Sequence, residues 1–230
     1  MRLVSALLLF GLVSCDAPGP ITIDPGTQVL VIGDSVMEWN REDDAAIADV
    51  IAEETGLAVF NAGVSGARLS AEDPDDAEAG FDIRQQYQPG EWEWVVMDGG
   101  ANDLGDECGC GPCGPTLDEM VSEDGDAGQY PAFARTVTDN GSRLLVMGYY
   151  APPEGGEADF TACAEEFVEF NRRLQSMALA TEDVYFASAA DVIDPSNPGH
   201  YDEDRVHPSV EGSRLIGELL STVITANSMD

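Results

Sequence analysis

The amino-acid sequence predicts an α/β fold, a flavodoxin-like three-layer α/β/α sandwich around a five-stranded parallel sheet. Five short apolar runs are typical of strands that are buried on both faces of a parallel sheet. Apolar stripes at helical spacing lie between these runs, so strands and helices alternate as in a doubly wound sheet. The predicted strands are Val29–Ile32, Leu57–Phe60, Trp94–Met97, Leu144–Met147 and Val184–Ala187.

The predicted helices each present one apolar stripe, with residues three or four positions apart. Three stretches rich in glycine, proline or acid, 71–80, 105–115 and 151–157, follow predicted strands and are expected to form loops around the site. The chain length fits one domain with a sizeable core. The stripes comprise Ile47, Val50 and Ile51; Tyr130, Phe133, Ala134 and Val137; Phe167, Phe170, Leu174 and Met177; and Leu215, Ile216, Leu219, Leu220 and Val223.

The amino-terminal segment has the pattern of an export signal. Met1-Arg2 is positively charged, and Leu3–Leu12 is apolar but too short to cross a bilayer as a helix. Leu12-Val13-Ser14-Cys15 resembles the lipobox of bacterial lipoproteins, in which the cysteine is lipidated. An ordinary secretory peptide that happens to contain a cysteine is the alternative.

These patterns predict an exported protein that is lipid-anchored in the bacterial cell envelope, on the periplasmic side or at the outer surface. The lipid is expected to be its only contact with a membrane, because no other segment is suited to crossing one. The predicted parts are a signal peptide over 1–14, a lipidated tether over 15–27 and an α/β domain over 28–230.

The charge of the chain excludes several classes of partner. It carries 44 acidic residues against 10 basic ones, all of them arginine, and a net charge of −34. Phosphate binding needs a basic face, so nucleic acid is excluded, and so is direct attraction to anionic lipid. The acidic residues are scattered, and no loop has the alternating ligands of a calcium site. We interpret them as a solvated shell that suits salty surroundings.

Four cysteines besides Cys15 are expected to form disulfides, as in other exported proteins. They allow three pairings, of which a Cys108–Cys110 bridge would be cramped. We favour Cys163 pairing into the loop over 105–115, with a short bridge inside that loop. The alternative is a four-thiolate zinc site with Cys110 and Cys113 as one half. Either arrangement indicates a structural role.

Two short motifs at opposite ends of the chain carry the residue types of a serine hydrolase. Gly33-Asp34-Ser35 follows the first predicted strand directly, and Asp204 precedes His207 by three residues. A serine needs an adjacent base to act as a nucleophile, and a carboxylate orients that base. A single turn would bring Asp204 and His207 together. The other histidine, His200, has Asn197 at the matching upstream position and is a weaker candidate.

Two further residues near predicted strand ends could bind an oxyanion. Gly63 lets a backbone N–H approach a substrate, and Asn102 donates amide hydrogens without carrying charge. The alternatives are that Gly63 marks a turn and that Asn102 caps a helix. Ser65 is a competing nucleophile, because 63–67 nearly matches the nucleophile elbow of α/β-hydrolases. Alanine replaces the last glycine of that elbow, so we expect Ser65 to support the Gly63 loop.

Four blocks of the chain resemble the four conserved blocks of the SGNH, or GDSL, hydrolases. Members of this family are flavodoxin-like esterases, lipases, carbohydrate acetylesterases, thioesterases and some acyltransferases. The resemblance implies that the domain over 28–230 has the SGNH hydrolase fold and needs no metal or organic cofactor. The blocks are Gly33-Asp34-Ser35, Asn61-Ala62-Gly63-Val64-Ser65-Gly66, Gly100-Ala101-Asn102-Asp103 and Asp204-Arg205-Val206-His207-Pro208.

The resemblance also implies a role for each residue. Ser35 would be the nucleophile, and His207 would take its proton and later protonate the leaving alkoxide. Asp204 would orient the imidazole and stabilise the imidazolium. The backbone N–H groups of Ser35 and Gly63 and the side-chain amide of Asn102 would form the oxyanion hole.

The expected function is hydrolysis of a small-molecule or glycan ester through an acyl-enzyme. The acidic surface disfavours anionic esters and suits neutral ones, such as acetylated sugars or short acyl esters. One alternative is an acyltransferase that uses the same triad. The other is a surface lipoprotein that has kept the fold as a non-catalytic binding module.

Overall fold

The computed structural model describes residues 23–24, 26–69, 71, 73–155 and 159–228. The predicted signal peptide and the lipidation site at Cys15 lie outside the described residues. The described chain forms a five-stranded parallel sheet in the order β2-β1-β3-β4-β5. This is the flavodoxin-like order, so the predicted fold class is confirmed. The strands are β1 (Val29–Ile32), β2 (Val59–Asn61), β3 (Trp94–Met97), β4 (Arg143–Gly148) and β5 (Val184–Ser188).

The central strands are buried on both faces, as their continuous apolar sequences predict. Every residue of β1 and β3 is fully buried, and the two strands pair in register from Val29 opposite Trp94. The edge strand β2 is half-buried and begins two residues later than the predicted start at Leu57. The N–H of Leu57 bonds instead to the hydroxyl of Thr55, which ends the preceding helix.

Helices cover both faces of the sheet. α2 and α9 pack against each other on one face of the sheet, while α7 and α8 lie on the opposite face. The chain moves from β1 to β2 in one direction along the sheet and from β3 to β4 in the other, so right-handed crossovers place the connecting helices on opposite faces. None of the described helices is long and apolar enough to span a membrane. The helices are α1 (Ser35–Glu38), α2 (Ile47–Thr55), α3 (Pro74–Glu78), α4 (Ile83–Gln86), α5 (Ala101–Cys108), α6 (Gly114–Met120), α7 (Gln129–Asp139), α8 (Ala164–Ala180) and α9 (Val210–Asn227).

Two disulfides fasten the loop after α5, and one of them joins it to the start of α8. One links Cys108 to Cys113 inside the loop, and the other links Cys110 to Cys163. The favoured pairing pattern is therefore confirmed, and these bridges leave no thiolate for the zinc alternative. The bridges fasten two segments that follow β3 and β4 at the carboxyl edge of the sheet, where sites of this fold class lie.

Candidate active site

The turn that presents Ser35 is held by side chains from distant parts of the chain. The N–H of Gly33 donates to Oε1 of Gln86 at 2.7 Å, and Nε2 of Gln86 donates back to the Gly33 carbonyl at 2.9 Å. Gly33 has a φ of 153°, and a Cβ there would lie 1.8 Å from Oδ1 of Asp98. Only glycine therefore fits between β1 and Ser35.

Asp34 caps the helix that begins at Ser35. Its Oδ1 accepts from the N–H of Val36 at 2.9 Å, and its Oδ2 accepts from the hydroxyl of Tyr149 at 2.5 Å. Its own N–H donates to Oδ1 of Asp98 at 2.9 Å. The N–H of Ser35 lies in the first turn of the helix and finds no acceptor among the described residues. This N–H is thus left for a ligand.

Asp204 and His207 meet in one turn, as their spacing predicts. Oδ2 of Asp204 lies 2.5 Å from Nδ1 of His207, and Oδ1 accepts from the N–H groups of Val206 and His207 at 2.9 and 3.0 Å. Partial burial raises the pKa of Asp204, but these hydrogen bonds outweigh it and lower the pKa below its usual range. The carboxylate therefore stays charged and engages one nitrogen of the imidazole.

The ring of Trp39 packs against the imidazole of His207, a contact that the sequence analysis missed. The two rings stack at a centroid distance of 3.7 Å and an interplanar angle of 7°. Nε1 of Trp39 donates to Oδ2 of Asp202 at 2.7 Å, which fixes the indole. Trp39 caps the carboxyl end of α1, the short helix that Ser35 begins, so this helix connects both halves of the site. The spacing of four residues was the available signal, since it places both on one helical face.

Asn102 lies at the start of α5, beside the loop that follows β2. Its Nδ2 donates to the carbonyl of Ala67 at 2.8 Å, which uses one of the two amide hydrogens. Oδ2 of the neighbouring Asp103 accepts from the N–H of Leu69 at 2.9 Å. Burial raises the pKa of Asp103 to about 6. The second amide hydrogen of Asn102 has no acceptor among the residues that the structure describes, and it remains for a ligand.

The two glycines of the loop after β2 have different surroundings. Gly63 is buried, and its N–H donates to Oδ1 of Asn61 at 3.0 Å, so it belongs to a closed turn. Gly66 is exposed, has a φ of 80° and precedes Ala67, the partner of Asn102. Its N–H finds no acceptor in the described part of the chain. The predicted donor Gly63 is thus already engaged, and the sequence analysis overlooked Gly66.

A small cavity of about 40 Å³ opens beside Ser35. Apolar and aromatic side chains form most of its wall, and Ser35 and Asn102 also line it. The competing nucleophile Ser65 does not line it. The lining residues are Asp34, Ser35, Val36, Ala101, Asn102, Tyr149, Tyr150, Pro152, Asp159, Phe160, Phe167 and Val206.

His200 lies apart from the predicted triad. Its Nδ1 accepts a hydrogen bond from the backbone N–H of Asp194 at 3.0 Å, near the surface. It contributes no side chain to the cavity beside Ser35. This position agrees with its being the weaker candidate base.

Comparisons with solved structures find the same fold. A carbohydrate acetylesterase from Sinorhizobium meliloti is 18% identical over 87% of this chain and 99% of that chain, with a TM-score of 0.56. An aryl esterase from M. smegmatis is 20% identical over 87% and 99%, with a TM-score of 0.55. A GDSL-like lipase from Bacteroides thetaiotaomicron is 17% identical over 90% and 92%, with a TM-score of 0.59.

Sequence comparison extends this result from fold to family. A comparison with curated proteins finds no match. The model of the GDSL-like lipase/acylhydrolase family matches residues 31–215, which contain the turn with Ser35, the loop after β2, the start of α5 and the turn with His207. The chain therefore belongs to the GDSL-like lipase/acylhydrolase family of ester-hydrolysing enzymes.

Proposed function

We propose that this protein is a serine esterase in which Ser35, His207 and Asp204 form the triad. The held imidazole is the observation that carries the proposal. It is hydrogen-bonded to Asp204 through Nδ1 and stacked on Trp39, which caps the carboxyl end of the helix that Ser35 begins. Because Nδ1 is engaged, Nε2 is the nitrogen left to exchange a proton with the Ser35 hydroxyl.

The reaction would proceed through an acyl-enzyme. Oγ of Ser35 attacks the ester carbonyl while its proton passes to Nε2 of His207. The tetrahedral intermediate collapses, the C–O bond to the alcohol breaks, and the imidazolium protonates the leaving oxygen. Water then attacks the acyl-enzyme, giving its proton to His207, and the acid leaves as Ser35 recovers its hydrogen.

The oxyanion would be bound by the donors for which the described residues offer no other acceptor. These are the N–H of Ser35, the N–H of Gly66 and the second amide hydrogen of Asn102. We assign Gly66 in place of Gly63, because the N–H of Gly63 already donates to Asn61. Each such donor is worth about 2.7–4 kcal/mol of transition-state stabilisation in related chemistry.

We propose neutral esters of short acyl groups as the substrates. A cavity needs a volume of roughly 10–15 Å³ to hold one water molecule. The cavity beside Ser35 has about 40 Å³, which matches a group of the size of an acetyl. Its mostly apolar wall suits an alkyl chain better than a hydroxylated sugar, which would remain outside. The net charge of −34 disfavours anionic esters. A related fold belongs to a carbohydrate acetylesterase, which supports acetylated sugars as one such class.

The test is hydrolysis of p-nitrophenyl acetate, butyrate and octanoate by the wild type, Ser35→Ala and Ser65→Ala. We expect acetate to be preferred, Ser35→Ala to be inactive and Ser65→Ala to stay active. Loss of activity in Ser65→Ala but not in Ser35→Ala would identify Ser65 as the nucleophile. Added alcohol that captures the acyl group faster than water does would indicate the acyltransferase. No turnover together with no labelling by a fluorophosphonate would indicate the binding module.

The size of the cavity can be tested separately at Phe160. Phe160→Ala removes part of its wall and should raise the octanoate-to-acetate ratio of kcat/KM about tenfold, within the 1–3 kcal/mol that one methylene is worth in an apolar pocket. Leu179→Ala, an exposed apolar truncation on α8, is the control. An unchanged ratio would exclude this cavity as the acyl site.

We further propose that the enzyme is exported and anchored to a membrane through lipidated Cys15. Two disulfides support an oxidising compartment, and the lipobox-like sequence supports lipidation. In a bacterial host the full chain should fractionate with membranes, and Cys15→Ser should move it to the soluble fraction. Wild-type protein in the soluble fraction would contradict the anchor.

A further inference from the structure

Asp98 is a buried carboxyl that the proposed reaction does not use. It follows β3 directly and is fully buried. Its Oδ1 accepts from the N–H of Asp34 at 2.9 Å, while its Oδ2 is shielded from solvent and has no partner among the described residues. A carboxylate oxygen in that position lacks any donor, which is costly in a protein interior.

A second carboxyl, that of Asp34, lies beside it, and only Asp34 has a hydrogen-bond donor for each of its two oxygens. Asp34, which is 1% exposed, accepts from the Tyr149 hydroxyl and from the N–H of Val36. Two neighbouring carboxylates cannot both ionise away from water. Asp34 is therefore the charged member, and a proton on Oδ2 of Asp98 would supply the missing donor, with Asp34 as its acceptor.

We propose that Asp98 is a positioning residue, a neutral carboxylic acid that holds the Asp34 peptide and so aims the N–H and hydroxyl of Ser35. The inference rests on the proposed role of Ser35 as nucleophile. Asp98 acts through Asp34 and does not line the cavity itself. Gly33 leaves room for the Asp98 carboxyl, because a Cβ at position 33 would lie 1.8 Å from Oδ1 of Asp98.

The surroundings agree with this protonation. Burial and the charge of Asp34 raise the pKa of Asp98 well above its usual range. The other titratable groups facing the pair are Tyr130, Tyr149, Tyr150 and His207. Burial raises the pKa of all three tyrosines, so they stay neutral. Among the described residues no arginine forms an ion pair with either carboxyl.

The sign of the stability effect follows from this raised pKa. Folded Asp98 keeps a proton that the unfolded chain releases near pH 3.8. Its contribution to the free energy of unfolding is fully present below that pH and is lost as pH rises through the folded pKa. The amide in Asp98→Asn cannot ionise, so this variant should not lose that part of its free energy of unfolding as pH rises. The amide can still make the two hydrogen bonds that we assign to protonated Asp98.

The experiment compares the full-length wild type with Asp98→Asn and Asp98→Leu from about pH 6 to about pH 10. Thermal unfolding and the kcat and KM for p-nitrophenyl acetate are measured for each. Asp98→Asn should keep kcat within about threefold and be less sensitive to alkaline pH in both measurements. Asp98→Leu cannot accept from Asp34 and should lose about 10²-fold in kcat with little change in KM, since small misplacements cost that much.

Several outcomes would overturn the proposal. Parallel loss of stability in the wild type and Asp98→Asn would show that Asp98 does not hold the proton. Wild-type kcat in Asp98→Leu would exclude a positioning role for Asp98. If Asp98→Leu does not fold, the same fall of kcat at alkaline pH in Asp98→Asn as in the wild type would exclude that role. Asp82→Asn, in which Arg84 loses its buried partner, controls for removing a carboxylate. An inactive wild type would refute the proposed function, while the stability comparison would still test the proton.

Discussion

The two halves of the proposed active site, the nucleophile turn over 33–35 and the histidine turn over 204–207, are held in opposite ways. The nucleophile turn is buried, and its partners Gln86, Asp98 and Tyr149 come from three distant segments. The histidine turn lies nearer the solvent: the side chain of Asp204 is 37% exposed and bonds within its own turn. The nucleophile turn therefore depends on the packed fold, whereas local chain geometry forms most of the histidine turn.

The largest expected effect comes from the local half. Asp204→Asn should lower kcat by roughly 10³–10⁴-fold, because an amide in place of the carboxylate favours the wrong tautomer of His207. Thermal stability should change little, since the side chain is partly exposed. Glu203→Gln, the exposed neighbour, is the control. A loss of less than tenfold would mean that Asp204 is not the orienting acid.

Gln86→Leu tests the long-range half and should affect folding and activity together. It leaves the buried N–H of Gly33 without its acceptor, which costs about 1–3 kcal/mol of unfolding free energy. We expect a lower melting temperature and a reduced kcat, measured by thermal unfolding and ester hydrolysis. The exposed Gln85→Leu should change neither. If Gln86→Leu lowered neither quantity, the nucleophile turn would be formed locally after all.

The smallest expected effect concerns Trp39, which links the two halves. Trp39→Leu removes the ring beneath His207 and should lower kcat about two- to tenfold, in line with the 0.5–1.5 kcal/mol that stacked rings contribute. Trp39→Phe keeps a ring and should recover most of the activity. Equal loss in both variants would assign the effect to the hydrogen bond with Asp202 instead.

Much of this molecule follows from short-range sequence patterns. The apolar runs predicted the strands closely, because strands buried on both faces contain little else. The three-residue spacing predicted that Asp204 and His207 meet, since one turn spans it. The preference for a Cys163 bridge into the cysteine-rich loop also agrees with the structure, because Cys108 and Cys110 are too close along the chain to bridge each other.

The tertiary structure decided which groups in those motifs are free to act. The sequence analysis chose Gly63 and overlooked Gly66, but the fold engages the N–H of Gly63 with Asn61 and leaves Gly66 exposed. In the sequence Asp98 is one of 44 acidic residues, but packing buries it against Asp34. Sequence spacing determines local turns, whereas burial and hydrogen-bond partners depend on segments far apart in the chain, which only the packed sheet brings together.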